Sequence, residues 1–349
     1  KMEETELPLW LLPTGASKPA TGSIRDLGRI IGPHHTMFLM NSEVVRLLNP
    51  RRQPYCTKRK DDEIRDDFTT QMLTPSQFIT AIESYCRPSY LAKAEDGSVQ
   101  AFGTVLKKSQ ADYTLDSAEF AEELPELKRV LRSPIPSAGD DPAELFFPSP
   151  GFNAETSVFL SMDAVRARPL PPTPENVAWA KAVLGHLIGY GRGDSFAYGS
   201  PQDECHSFAR FMTPFCRGLM DWAKGPVWTF EADEAGTGKD TLADLTHVQQ
   251  TGAEIGYSPT TDVEEMRKAI TSFLLAGGSF FHLGNVRGVF RCSPFEQASS
   301  ATRTHCDRLL GHSKTLNLRN EAEYSFSAND AIFTPDILRR CRRIFQRWK

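Results

Sequence analysis

Apolar residues in the second half of the chain recur with two different periods, and the switching between them predicts helices and strands in turn. Val263, Met266, Ile270, Phe273 and Leu274 fall at helical spacing. Thr261 and Glu264 supply a capping box before them, and Gly277 and Gly278 a stop after them. The run that follows, SFFHLGNV over 279–286, is almost continuously apolar, as expected of a parallel strand buried on both faces. PVWTF (226–230), 253–257, AEYSFSAND (322–330) and RRIFQRW (342–348) also read as strands. Stretches 174–190, 203–222 and 238–250 read as helices. Strands alternating with helices predict an α/β fold with a parallel sheet, expected as five strands over about 220–349.

The first half is less regular. Residues 1–70 are rich in Pro, Lys and Arg and predict an irregular arm. Its basic cluster, Arg51, Arg52, Lys58, Arg59 and Lys60, is followed by an acidic run from Asp61 to Asp67 that can neutralise it. Residues 71–165 predict a small α+β module. In it, TPSQFITAIESYC sets Phe78, Ile79, Ile82 and Tyr85 on one helical face behind the cap Thr74 and Pro75. A strand over 101–106 and a helix over 117–131 carrying Phe120, Leu124, Leu127 and Leu131 follow, and GFNAETSVFL reads as two short strands around a turn. The proline-rich stretch 166–173 has the composition of a linker and sets the boundary to a domain over 174–349, whose first helix Thr173 caps.

Composition narrows the class. A chain of 349 residues, 40% of them hydrophobic, has room for two domains. The net charge of −4 neither requires nor excludes a nucleic-acid partner. Seven cysteines, none in a CxxC pair, point to free thiols in a reducing compartment and away from a zinc site. With no run of 18 apolar residues and no signal-peptide core, the expectation is a cytoplasmic protein that does not enter a membrane.

The chemistry concentrates in EADEAGTGKDTL, residues 231–242. A short strand precedes it and a helix follows, the setting in which loop N–H groups and a helix N-terminus bind phosphate. A full GxxxxGKS/T pattern would need Gly at 233 and Ser or Thr at 240, where this chain has Asp233 and Asp240. Gly236, Gly238 and Lys239 are kept, so the nucleotide-binding candidates are Gly236, Thr237, Gly238, Lys239, Asp240 and Thr241. Asp240 puts a carboxylate where a hydroxyl normally supports magnesium. Thr241 cannot replace that hydroxyl, because one residue is ~100° around a helix. The plainer alternative is a helix N-terminus with small residues in a tight turn. His206, without acidic or cysteine neighbours at metal spacing, reads as an ordinary partly buried histidine.

Further landmarks follow in order: GNV at 284–286, DRLLG at 307–311, SAND at 327–330 and DILRR at 336–340. With the loop, they make the second half resemble the ATPase domain of helicase and primase-helicase proteins of phages and integrated mobile elements, within the AAA+ class. The stretch PELKRVLRSPIP (125–136) also resembles the region preceding such domains. The resemblance implies an AAA+-like phosphate-loop domain that uses ATP and Mg2+ and works as a ring, usually of six, on single-stranded or forked DNA. A primase or polymerase is a further implied partner. It makes Lys239 the phosphate lysine, Asn329 the γ-phosphate sensor, and Arg339 and Arg340 a finger reaching a neighbouring subunit. It also assigns DNA contact to the segment carrying Arg303, His312, Lys314 and Arg319, which corresponds to a channel hairpin in related rings.

Two departures bear on turnover. Gly284 stands where that family has a metal-supporting Asp, and Asp240 replaces the hydroxyl residue. Either the carboxylate has moved from strand to loop, with Asp240 as the metal ligand, or the site has decayed to a binding or purely structural one. The family's C-terminal lid is expected to be missing after Lys349. Two other classes stay open: a non-catalytic docking subunit of a replication or nuclease complex, and a phosphate-loop deoxynucleotide kinase.

Overall fold

The computed structural model describes residues 7–13, 20–48, 69–138, 145–161, 170–189, 191, 196–216, 225–234, 236–251, 256–260, 262–301, 303–308 and 315–347. Contacts divide the chain into two units, with the break between Lys128 and Arg129. Among the described residues no helix is long and apolar enough to cross a membrane.

In the first unit, strands β1 (Leu9–Leu11), β5 (Arg87–Lys93) and β6 (Val99–Gly103) form one sheet, with β1 parallel to β5. Strands β2 (Met37–Met40), β3 (Glu43–Leu48) and β4 (Thr69–Met72) form an antiparallel meander. Helices α1 (Ala20–Ile31), α2 (Pro75–Ile82), α3 (Lys108–Leu115) and α4 (Ala118–Ala121) complete the unit. The expected arm over 1–70 is therefore partly regular. Ile24, Leu27 and Ile31 form a helical stripe that packs with Trp10, Phe78 and Phe120 in one core. That stripe outweighs the surrounding Pro, Lys and Arg. Helix α2 starts as its sequence predicts, with a reciprocal Thr74–Gln77 capping box. The helix expected over 117–131 instead ends after one turn at α4, because Pro125 has no N–H to continue the ladder. Its Phe120, Leu124, Leu127 and Leu131 are buried all the same.

The second unit begins well before the proline-rich stretch. Strand β7 (Arg129–Leu131) pairs with β11 (Val158–Leu160), which forms the expected hairpin with β10 (Gly151–Asn153). A small pair, β8 (Ser137–Ala138) and β9 (Leu145–Phe146), lies between them in sequence. The boundary at 166–173 thus moves to 128/129, since strand pairing, to which composition is blind, ties residues 129–160 together. Residues 166–169 and the basic and acidic clusters of 51–67 lie outside the described residues.

Helices α5 (Pro174–Ile188) and α6 (Pro201–Cys216) lead into a four-stranded, wholly parallel sheet. Its strands are β12 (Val227–Ala232), β13 (Phe280–Phe290), β16 (Glu323–Phe333) and β17 (Cys341–Gln346), in the order β13-β16-β12-β17. Of the expected fifth strand over 253–257, the described residues show a parallel bridge from Tyr257 to Leu283, and 252–255 lie outside the described residues. Helices α7 (Lys239–Thr251), α8 (Val263–Leu275), α9 (Ser293–Ser300) and α10 (Pro335–Leu338) and the hairpin β14 (Thr304–Arg308) to β15 (Thr315–Arg319) fill the connections. Helix α8 is capped by Asp262, which accepts from the N–H groups of Glu264 and Glu265, rather than by the expected Thr261.

Alternation along the strands sends side chains to two cores. Trp228, Phe230 and Ile344 pack with Leu242 and Ala243 of α7 and Phe211 of α6. On the other face Phe281, Leu283, Tyr324 and Phe326 pack with Met266, Ile270 and Phe273 of α8 and Phe295 of α9. A sheet covered on both faces needs apolar residues at consecutive positions, which is why these strands read as continuous runs. Each buried aromatic contributes about 1.5–3 kcal/mol of transfer free energy.

Candidate functional site

The carboxyl end of β12 opens directly into the loop predicted from sequence. Gly236 and Gly238 have φ of 87° and 85°, a region that side chains other than glycine rarely occupy, so the turn depends on both. Helix α7 then begins at Lys239, and the loop stands at the carboxyl edge of a parallel sheet, where open α/β sheets place ligands.

Lys239 is buried, at 6% exposure, and its Nζ donates to Asp240 Oδ2 at 2.8 Å. The Asp240 carboxylate, 57% exposed, also takes a hydrogen bond from the Ser327 hydroxyl. Burial against the loop tends to raise the Asp240 pKa. The bonds from Lys239 and Ser327 and the lysine charge outweigh it and hold the group below the usual carboxylate range. Thr241 is exposed on α7.

Ser327 couples two strands to the loop. It lies on β16, between β12 and β13, and its Oγ accepts from the Asn285 N–H at 2.8 Å. Asn285, with φ of 61°, sits where the register of β13 shifts between Leu283 and Val286. Its Oδ1 accepts from Asn329 Nδ2 at 3.3 Å and from Arg287 Nε at 3.2 Å. GNV and SAND therefore meet at the same edge as the loop. Among the described residues, Thr237 Oγ1 and Asn329 Oδ1 are buried without a hydrogen-bond partner.

Beneath this edge lies a buried polar track. His282 Nδ1 and Ser325 Oγ are 2.9 Å apart, and Arg210 of α6 pairs with Glu323 of β16. Burial, reinforced by the Arg210 charge, pushes His282 down to about 4, so it is neutral at physiological pH. Small polar residues at every second position of an otherwise apolar strand, Ser325, Ser327 and Asn329, are the sequence signal for this track. The landmark reading of SAND passed over Ser327, although the period of two marks it.

The remaining candidates lie elsewhere. Arg339 pairs with Asp336 at 3.1 Å, and Arg340 donates to the Asp336 carbonyl at 2.7 Å. The Arg340 carbonyl accepts from Val227 N at 2.9 Å, which sets it beside the amino end of β12. The six residues of β12 separate that end from the loop by roughly 20 Å at about 3.3 Å per residue, beyond an arginine's reach. Arg303 is exposed just before the β14–β15 hairpin, whereas Arg319 is engaged by Glu321. His312 and Lys314 lie outside the described residues. Among the described residues no group of three His, Cys, Asp or Glu side chains is disposed to hold a metal. No protein-family model matches the chain, and no curated protein is found to match it.

Proposed function

We propose that the second unit is an AAA+-like nucleotide-binding domain that takes ATP with magnesium. We propose further that it acts in mobile-element DNA replication as a helicase or helicase-like subunit of a ring. One observation carries the reading: Gly236–Lys239, Asn285 and Asn329 converge at the carboxyl edge of a parallel sheet in which the Asn329 strand lies between the other two. A phosphate group suits this edge. Two left-handed glycines open the loop, a buried lysine starts the helix, and Thr237 and Asn329 present unpartnered polar atoms. Asp240 is the carboxylate we assign to magnesium, with phosphate oxygen and water completing its shell. The separation of Arg339 and Arg340 from their own loop fits a finger acting on a neighbour. The β14–β15 hairpin, with Arg303 at its base, is the element we assign to DNA.

A second reading, a subunit that assembles without hydrolysing ATP, is favoured by the pairing of Lys239 with Asp240 and the lack of a side chain at Gly284. Calorimetric titration with ATP and magnesium, and phosphate release with and without single-stranded DNA, separate the two. Binding that is lost in Lys239→Ala, with DNA-stimulated hydrolysis, is the expected result. Binding without hydrolysis supports the second reading, and no binding of ATP by the native chain overturns both.

A further inference from the structure

Past the end of β1, the hairpin of β5 and β6 continues as a bare two-stranded ribbon. Strand β1 pairs only with residues 87–89 of β5, so among the described residues 90–102 have no third strand. Both faces of this ribbon are open. Tyr90 and Phe102 on one, with ring centres 5.9 Å apart, and Leu91 and Val99 on the other are 38–64% exposed. A lone two-stranded hairpin is marginal in water, so this one gains from a further partner. Its turn is well built all the same: Gly97, at φ of 82°, donates to the Ala94 carbonyl at 2.9 Å, and Asp96 accepts from the Ser98 N–H at 2.9 Å and from its hydroxyl at 2.6 Å.

The outer edge of the ribbon is β6, VQAFG, all of it exposed. Ala94 N donates to the Ser98 carbonyl and Thr104 N to the Pro88 carbonyl, so by the alternation of an antiparallel ladder residues 98, 100, 102 and 104 bond to β5. The N–H and C=O groups of Val99, Ala101 and Gly103 therefore point away from it. A Cβ on Gly103 would meet nothing within 4 Å, so the sheet face there is open as well. Exposed edges are normally guarded by charge, proline or a bulge. Strand β6 has neither charge nor proline, and its register with β5 runs unbroken from Gly103 to Val99.

We infer that two copies of the chain pair edge to edge through β6, antiparallel and centred on Ala101, to make a four-stranded ribbon. Charge selects this partner and this orientation. Glu95 and Asp96 lie in the turn at one end of β6, and Lys107 and Lys108 follow its other end. Antiparallel pairing about Ala101 sets Glu95 of each copy beside Lys107 of the other, whereas parallel pairing would align like charges. Along the strand Ala101 faces its own copy, Val99 faces the side-chain-free Gly103 and Phe102 faces Gln100, so no two bulky groups or like charges are opposed. Lys93, on β5, lies one strand further from the axis. The residues directly opposed in hydrogen-bonded pairs, 99 with 103 and 101 with 101, are those whose backbone groups face outward. Such a two-fold contact closes on itself and uses no residue of the second unit.

Sedimentation equilibrium of the whole chain without nucleotide, with variants alongside, tests the pairing. Native chain should dimerise at roughly 100 µM or below, as a small interface allows. Ala101→Pro removes an outward N–H and should raise the dimer dissociation constant on the order of tenfold, with a melting curve close to native because an edge tolerates proline. Glu95→Lys and Lys107→Glu should each weaken the dimer about three- to tenfold, and the two together in one chain should restore it. Ala101→Cys should form a disulfide-linked dimer in greater yield than native chain, whose exposed thiols are Cys205 and Cys306. Opposed residues of a bonded antiparallel pair are about 5.5 Å apart at Cα, within a disulfide's span. A monomeric native chain overturns the pairing, whether or not β6 takes up an extended peptide instead. A native dimer or larger assembly that Ala101→Pro leaves unchanged places the contact elsewhere and overturns it too. Failure of the double charge variant to recover what the single ones lose overturns the antiparallel register. If Ala101→Pro does not fold, the native measurement and the charge pair still decide.

Discussion

Lys239 and Asp240, neighbours in sequence, are joined by an ion pair of 2.8 Å, so the ammonium that faces the loop is already matched by a carboxylate of its own chain. Any phosphate entering the loop competes with that carboxylate for the lysine. On the proposed reading, a divalent ion would change the balance, because the carboxylate would then turn to the metal. The pair is partly exposed and therefore screened, which limits its strength to that of an ordinary surface pair.

Asp240→Ala should raise affinity for ATP in the absence of magnesium by about three- to tenfold and remove the effect of magnesium on binding. Native affinity should depend on the ion. Titrations of both proteins with and without magnesium check this, and equal native affinity in the two conditions would contradict it.

Gly284 has the room for the side chain it lacks. A Cβ there would meet nothing within 4 Å, and its backbone is not left-handed. Gly284→Asp should fold with a stability change of about 0.5 kcal/mol or less. Combined with Asp240→Thr, it should give a site that hydrolyses ATP. A double variant that folds and binds ATP yet releases phosphate no faster than the native chain would show that metal support at these two positions does not limit hydrolysis.

Arg339 and Arg340 stand at the opposite end of β12 from the loop, held by the exposed Asp336 and its carbonyl. Changing both to Ala should leave ATP binding to the isolated subunit within about twofold. Any hydrolysis by the assembled protein should disappear. Parallel loss of binding in the isolated subunit would instead give these residues a local structural role.

Arg210 and Glu323 form an ion pair buried on both sides, 1% and 4% exposed. Arg210→Ala should destabilise the unit by about 3–5 kcal/mol, because it leaves a buried carboxylate without its counter-charge. Arg210→Met with Glu323→Leu should recover most of that loss. Denaturant titration reads both, and a change below about 1 kcal/mol for the single variant would mean that water reaches the pair.

His282 predicts an acid limb in the stability profile. Its folded pKa is lowered to about 4 by burial and by the Arg210 charge, with Lys239 adding to the effect and Asp240 opposing it. Below its unfolded pKa of about 6.5 the unfolded chain takes up a proton that the folded chain refuses, so stability falls with falling pH until about 4. The full loss is roughly 3 kcal/mol. Stability curves from pH 7 to 4 for native protein and His282→Leu check this, since the variant should lack that part of the slope.

The sequence by itself determined the local elements and the loop. Apolar runs such as SFFHLGNV suit a doubly covered sheet, the spacing of Val263 to Leu274 suits a helix, and the glycines of AGTGKD permit the left-handed turn that the loop takes. These are properties of adjacent residues and are legible without a fold. Strand order, the 128/129 division and the bridge of Tyr257 to Leu283 were decided by pairing between distant segments. The same holds for the site. Lys239 and the glycines were visible in one stretch, whereas the meeting of Asp240 with Ser327, of Asn285 with Asn329 and of Phe196 with the loop joins residues 42 or more positions apart. Such contacts depend on which strands lie side by side and on which face each side chain leaves, and only the tertiary structure decides both.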